Sequence, residues 1–171
     1  MSPTARMLLV LAALAPAALA CAEEPRTEIP RELVLERFRV AKGGDLLLVP
    51  VRFAGRDRLF VVDTGNTLTT FDESLPLGVP RTVVESITPQ GRVPVRIYDS
   101  PSAEVGRLPL QVPYVIGADL GWMREISGYR IDGVLGMDFL RRFVVHIDFD
   151  RGELLLLKAV PRDAGEAIAL R

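Results

Sequence analysis

Residues 60–67 read Phe60-Val61-Val62-Asp63-Thr64-Gly65-Asn66-Thr67. Three large apolar residues of high strand preference run straight into Asp-Thr-Gly, which spells a turn. That turn delivers one carboxylate beside a hydroxyl and a residue with no side chain. Two such loops facing each other make an acid–base pair able to activate water. The chain carries the triplet once. The number of chains in the active unit is therefore a question about chemistry.

Outward from this stretch, apolar/polar alternation and Gly/Pro punctuation recur at short spacing, while helical periodicity is nearly absent. That pattern predicts an all-β domain. Arg58 to Asp63 and Leu46 to Phe53 flank Ala54-Gly55-Arg56-Asp57, which reads as a hairpin. Leu33 to Val40 is expected as the first strand, and Thr67 to Phe71 continues beyond the Asp-Thr-Gly turn. Ser86 to Tyr98 contains the turn signal Pro89-Gln90-Gly91 and reads as a projecting hairpin, with Pro94 placing it at a sheet edge. Leu108 to Ile116 is a broken apolar stretch, and Ile131 to Leu135 a short strand of buried type. Met137 to Arg142 is the best helix candidate, with Asp138 near its start. Phe143 to Phe149 and Glu153 to Lys158 flank Asp150-Arg151-Gly152, the clearest hairpin in the chain. There is no internal repeat.

With 171 residues the chain is long enough for one domain with a sizeable core. Its 49% hydrophobic and 25% charged residues are ordinary for a globular protein. The net charge is −1 and no basic run stands out, so nucleic acid is not an expected partner.

The first twenty residues differ from the rest. Arg6 precedes an apolar stretch from Met7 to Ala20, and Ala18-Leu19-Ala20 offers small residues where a signal peptidase reads. Residues 1–21 are read as a secretory signal, too short for a spanning helix. Cys21, the sole cysteine, ends that stretch. Two readings stay open: free export to the periplasm, or lipidation at Cys21 with attachment to a membrane. Either way the mature domain has no cysteine, and its stability must come from packing. Losing residues 1–21 removes Arg6 and leaves a net charge of −2. Residues 22–32 are polar, contain two prolines and read as a tether. The domain is placed at 33–171.

Most catalytic chemistries are then unpromising. The one histidine, His146, lies inside an alternating strand and reads as a sheet-face residue. With no cysteine in the domain, a closed zinc site is not expected. No serine lies in an elbow-like setting, and no phosphate loop is present. Neither metal nor cofactor is expected. Trp122 with Met123 reads as core or interface, and Arg141-Arg142 as a solvated helix end. Carboxylates remain.

Asp-Thr-Gly alone is a weak signal, because an Asp that caps backbone groups in a plain turn has the same spelling. Two features strengthen it. It follows the apolar strand Leu59-Phe60-Val61-Val62. About seventy residues later comes Ile131-Asp132-Gly133-Val134-Leu135-Gly136-Met137-Asp138-Phe139-Leu140, in which Val134-Leu135-Gly136 leads into the helix candidate.

On these residues the chain resembles the retropepsin-like aspartic peptidases, in particular their bacterial secreted or membrane-attached relatives. The resemblance covers roughly residues 46–157. It implies an all-β, closed-barrel-like fold with one short helix near the C-terminus. It also implies an endopeptidase acting on polypeptide substrates as a homodimer, with one Asp63 from each chain. Two carboxylates about 3 Å apart cannot both ionise, so they share a proton and one serves each role, as is general in aspartic proteases. A two-fold dimer would set both on its axis. Thr64 would lock the loops across that axis. Gly65 would let the backbones approach and aim an N–H at the carboxylate.

In the resemblance Val134, Leu135 and Gly136 form the scaffold under the site, and Thr88, Gln90 and Gly91 belong to a flap that closes over substrate. Asp132 and Asp138 belong to the scaffold too, although each is weighed as a second carboxylate within one chain. Where relatives carry a small residue after Asp-Thr-Gly, this chain has Asn66. Its amide is expected to donate to the Asp63 carboxylate. Subsites are expected from core-like residues such as Val93, Ile97 and Leu135. Two other readings remain: a non-catalytic peptide-binding module of the same fold in the cell envelope, and a structural lipoprotein that keeps the loop as a residue of its past.

Overall fold

A computed structural model describes residues 28–41, 46–88 and 91–162. The stretch read as a signal, most of the stretch read as a tether, residues 42–45, Pro89-Gln90 and residues 163–171 lie outside the described residues. Strands dominate, and the domain is all-β, with two short α-helices among the described residues.

The hairpin read around the first glycine turn forms from β2 (Leu48–Phe53) and β3 (Arg56–Val62). Its loop has two residues, Ala54 at φ 50° and Gly55 at φ 73°. Both sit in the left-handed region, which matches the twist of the flanking strands. β3 then pairs in parallel with β10 (Ile131–Leu135), from far along the chain. β10 in turn pairs antiparallel with β4 (Thr70–Asp72). The triplet Asp63-Thr64-Gly65 therefore leaves the middle of a sheet, where strands covered on both faces read as unbroken apolar runs.

β4 continues in parallel with β9 (Tyr114–Ala118), and β9 pairs with β6 (Gly91–Asp99). β6 and β5 (Thr82–Thr88) form the projecting hairpin, longer than the sequence suggested because β5 begins at Thr82. On the other side β2 pairs with β7 (Ala103–Val105), which pairs with β8 (Leu108–Pro109). The resulting nine strands run β5-β6-β9-β4-β10-β3-β2-β7-β8. The sheet is open. Closure of a barrel needs edge strands long enough to meet with a consistent stagger. Here one edge is the free side of an arm and the other a two-residue strand. A second sheet of three strands joins β1 (Val34–Arg39), β12 (Glu153–Leu157) and β11 (Val144–Asp148), in the order β1-β12-β11.

α1 (Gly121–Ser127) lies between β9 and β10, and α2 (Met137–Leu140) follows β10 at once. The helix candidate at 137–142 is thus one turn, and α1 was not anticipated. His146 sits half-buried on β11, and Arg141 and Arg142 are exposed, with the Arg142 guanidinium over the Phe139 and Phe143 rings.

The core divides by face. Phe60, Val62 and Leu135 point into the main cluster, where Phe71 packs edge-on against both Phe53 and Phe60 at centroid distances of 5.3 and 4.9 Å. Val61, Val134, Ile131 and Leu120 form a smaller cluster on the other face. Gly133 is obligatory between them. A Cβ there would lie 2.1 Å from the Phe60 ring.

Candidate active site

The Asp63 loop is held from two directions. On the strand side, the Asp63 N–H donates to the Leu135 carbonyl at 3.1 Å and extends the parallel ladder by one residue. Within the loop, the Gly65 N–H donates to Asp63 Oδ1 at 2.8 Å, and the Asn66 N–H to the Asp63 carbonyl at 3.3 Å. A Cβ on Gly65 would sit 3.2 Å from that same Oδ1. The glycine both donates to the carboxylate and leaves room for it. Asp63, Thr64 and Gly65 are all exposed on the single chain. The Asn66 amide does not reach Asp63. It donates to Thr70 Oγ1 at 3.4 Å, because the chain turns back toward β4 at that point. The expected Asn66–Asp63 hydrogen bond is therefore replaced by a link that ties the loop to the next strand.

Beneath the loop, α2 takes the chain from the other side. Its first N–H groups, of Met137 and Asp138, donate to the carbonyls of Asn66 and Thr67 at 2.8 and 3.1 Å. The buried Asp138 carboxylate accepts from the Thr69 N–H at 2.9 Å, from Thr69 Oγ1 at 2.7 Å and from the Phe139 N–H at 2.8 Å. Gly136 fits where nothing larger would. A Cβ there would meet the backbone of Leu68 at 2.7 Å and of Asn66 at 2.8 Å. Val134 and Leu135 supply the parallel partner of β3, one to each face. Leu135 is core, not cleft.

Neither of the other two acids pairs with Asp63. Asp138 spends its oxygens on Thr69 and Phe139. Asp132 lies at the opposite end of the β3–β10 pair, where it accepts from the Leu59 N–H at 3.2 Å and faces Arg58 at 3.9 Å. Asp63 is thus the carboxylate that this loop presents to solvent.

Alternation along β3 puts Leu59 and Val61 on the same face as Asp63. That face is apolar and incompletely covered. A groove of about 870 Å³ opens over the far end of that face, lined by Leu46, Leu48, Leu59, Ile131, Trp122 and Ile126 among others and by no residue of the Asp63 loop; Leu59 stands four residues, roughly 13 Å of strand, before Asp63. Trp122 is 60% exposed and Ile126 81%, so Trp122 is a groove wall; of the two sequence readings, core or interface, the exposure removes the first. Another cavity, of about 520 Å³, lies on the three-stranded sheet and includes no residue of the Asp63 loop. Its charged lining includes the ion pairs Arg37–Glu153 at 2.6 Å and Arg151–Asp148 at 3.7 Å.

The β5–β6 arm extends past its neighbour. β9 pairs only with Arg96–Asp99 of β6, while β5 pairs with β6 all the way from Thr82–Ile97 to Thr88–Gly91. The outer half is a two-stranded ribbon, crossed by an exposed Arg92–Glu85 ion pair at 3.1 Å. Thr88 and Gly91 are its last paired residues, and Gln90 lies outside the described residues.

Sequence reasoning missed one acidic group at this end of the molecule. Asp72, at the end of β4, is 1% exposed and accepts from the N–H groups of Ser74 and Leu120 at 3.1 and 2.9 Å, from the Ser74 hydroxyl, and from the Arg124 guanidinium at 2.8 Å. Burial alone would push its carboxyl up. The hydrogen bonds from Ser74, Leu120 and Arg124 outweigh burial and hold it below its ordinary value. The only sequence signal was an acidic residue directly after the buried run of β4.

No curated protein matches the chain. Residues 49–139, from β2 through the Asp63 loop and the arm to α2, match the aspartyl protease family. The match covers more than half of the sequence and contains both the parallel pair and the loop it supports, so the chain belongs to the aspartyl proteases, in their retropepsin-like branch.

Proposed function

We propose that this chain is an aspartic endopeptidase that works as a homodimer, with Asp63 of each protomer as the catalytic carboxylate. The observation that supports this reading best is the setting of Asp63. It is exposed and oriented by the Gly65 N–H, and among the described residues the two acids of the neighbouring strand and helix, Asp132 and Asp138, bond elsewhere. An isologous pair about this loop supplies the missing acid.

In the dimer the two carboxylates share one proton. The ionised one takes a proton from water as the water oxygen attacks the peptide carbonyl carbon. The protonated one gives its proton to the carbonyl oxygen. Collapse of the tetrahedral diol then breaks the C–N bond as the amide nitrogen is protonated. Thr64 joins the two loops. The β5–β6 arm, with Thr88, Gln90 and Gly91 at its end, acts as the flap. The groove further along the β3 face receives an apolar side chain of an extended polypeptide some residues from the bond cut, and two-fold symmetry offers one such groove on each side. The chain reaches its substrate outside the cytoplasm through residues 1–21, whether or not Cys21 is lipidated. Mass spectrometry of the mature N-terminus distinguishes those two fates.

Incubation of the purified chain with denatured protein between pH 3 and 7 tests the reading. Cleavage is expected, and Asp63→Asn is expected to lower it by at least about a thousandfold. Equal cleavage by both forms removes Asp63 from the mechanism. Binding of peptide without cleavage by the unaltered chain leaves a peptide-binding module instead.

A further inference from the structure

α1 forms one wall of the groove, yet little in its own sequence holds it there. It has two turns, no fully buried residue and no side-chain N-cap. Helix geometry puts Trp122 and Ile126, four residues apart, on one face and Arg124 on the opposite one. Trp122 and Ile126 line the groove. Arg124 is turned inward. One guanidinium nitrogen donates to Asp72 Oδ2 at 2.8 Å and to the Ile131 carbonyl at 2.9 Å, and the other lies 3.8 Å from Asp119. The same Asp72 oxygen accepts the Leu120 N–H, just before the helix, at 2.9 Å. One buried carboxylate on β4 thus fixes both the entry and the middle of α1. Arg124 also ties it to the first residue of β10, the groove floor.

We propose that Arg124 and Asp72 are specificity-positioning residues: a strut that sets the groove wall carrying Trp122 and Ile126, and so selects bulky apolar side chains of an extended substrate about four residues from the scissile bond. This rests on the peptidase reading above. Neither residue touches substrate. They act through the wall. Loss of the strut should weaken binding of a large side chain, which needs the wall in place, and leave a small one indifferent. The chemical step at Asp63 should be unaffected, because the Asp63 loop takes its support from β10 and α2.

Two synthetic peptides that differ only in Phe or Ala about four residues from the cleaved bond supply the test, with the unaltered chain, Arg124→Gln and Arg124→Lys. In Arg124→Gln the Phe-to-Ala ratio of kcat/KM is expected to fall about tenfold. The fall should lie in KM for the Phe peptide, with kcat within about twofold. Arg124→Lys, which keeps the charge, is expected to retain most of the ratio. Trp122 is the sole tryptophan, so its acrylamide quenching should rise in Arg124→Gln as the wall loosens. An unchanged ratio, or an equal loss on both peptides through kcat, overturns the strut. If the unaltered chain cuts neither peptide, the peptidase reading has failed. The strut is then judged on Trp122 alone, and identical quenching in the unaltered chain and Arg124→Gln, both shown folded by circular dichroism, overturns it.

Discussion

Ala54 occupies a position that most side chains avoid. Its φ of 50° comes first in the β2–β3 turn, where asparagine or glycine is the usual choice. Ala54→Asn is expected to stabilise the chain by about 0.5–1 kcal/mol, read as a rise in Tm of a few degrees. Gly136 is the opposite case. Gly136→Ala must displace the backbone of Leu68 and Asn66, which no rotamer change relieves. A loss of about 2–4 kcal/mol is expected, together with activity, because those atoms carry the Asp63 loop. Thermal unfolding and peptide cleavage check both parts. Single residues were the scale at which the sequence spoke most clearly. Asp63, Gly65 and Gly136 announced themselves through triplet, strand and spacing. Asn66 did not, since the direction of its amide depends on where β4 begins.

At the scale of elements, turns were legible and partnerships were not. Glycines marked the β2–β3 and β11–β12 hairpins, and Pro89-Gln90-Gly91 marked the arm. The parallel pairing of β3 with β10 joins two apolar runs that carry no mutual signal; only the resemblance linked them. α1 was invisible because its support is long-range, from Asp72 and not from a local cap. That support has a pH dependence with a definite sign. The folded value of the Asp72 carboxyl is depressed. Its contribution is therefore complete above the unfolded value, near 4, and is lost as pH falls through the folded value. Asp72→Asn is expected to cost about 2 kcal/mol at pH 6. The gap between the two proteins should close toward pH 2, as measured by denaturant unfolding across that range.

The whole molecule poses the question of number. Mixing equal amounts of the unaltered chain and Asp63→Asn, allowed to exchange subunits, separates the cases. If only matched pairs cut, roughly a quarter of the activity remains; if each chain acts alone, half does. Sedimentation of the same mixtures gives the mass directly. The all-β architecture and its family were readable from residues 46–157. Barrel closure was not, since it depends on how far the edge strands reach, and β8 has only two residues.

The contact between the Asp63 N–H and the Leu135 carbonyl spans about seventy residues of chain. Closing so long a segment is entropically slow, and it comes after local hairpins have formed. A polypeptide still being synthesised therefore cannot complete the support of its Asp63 loop until residue 135 has emerged, so that loop is among the last features of the domain to take shape.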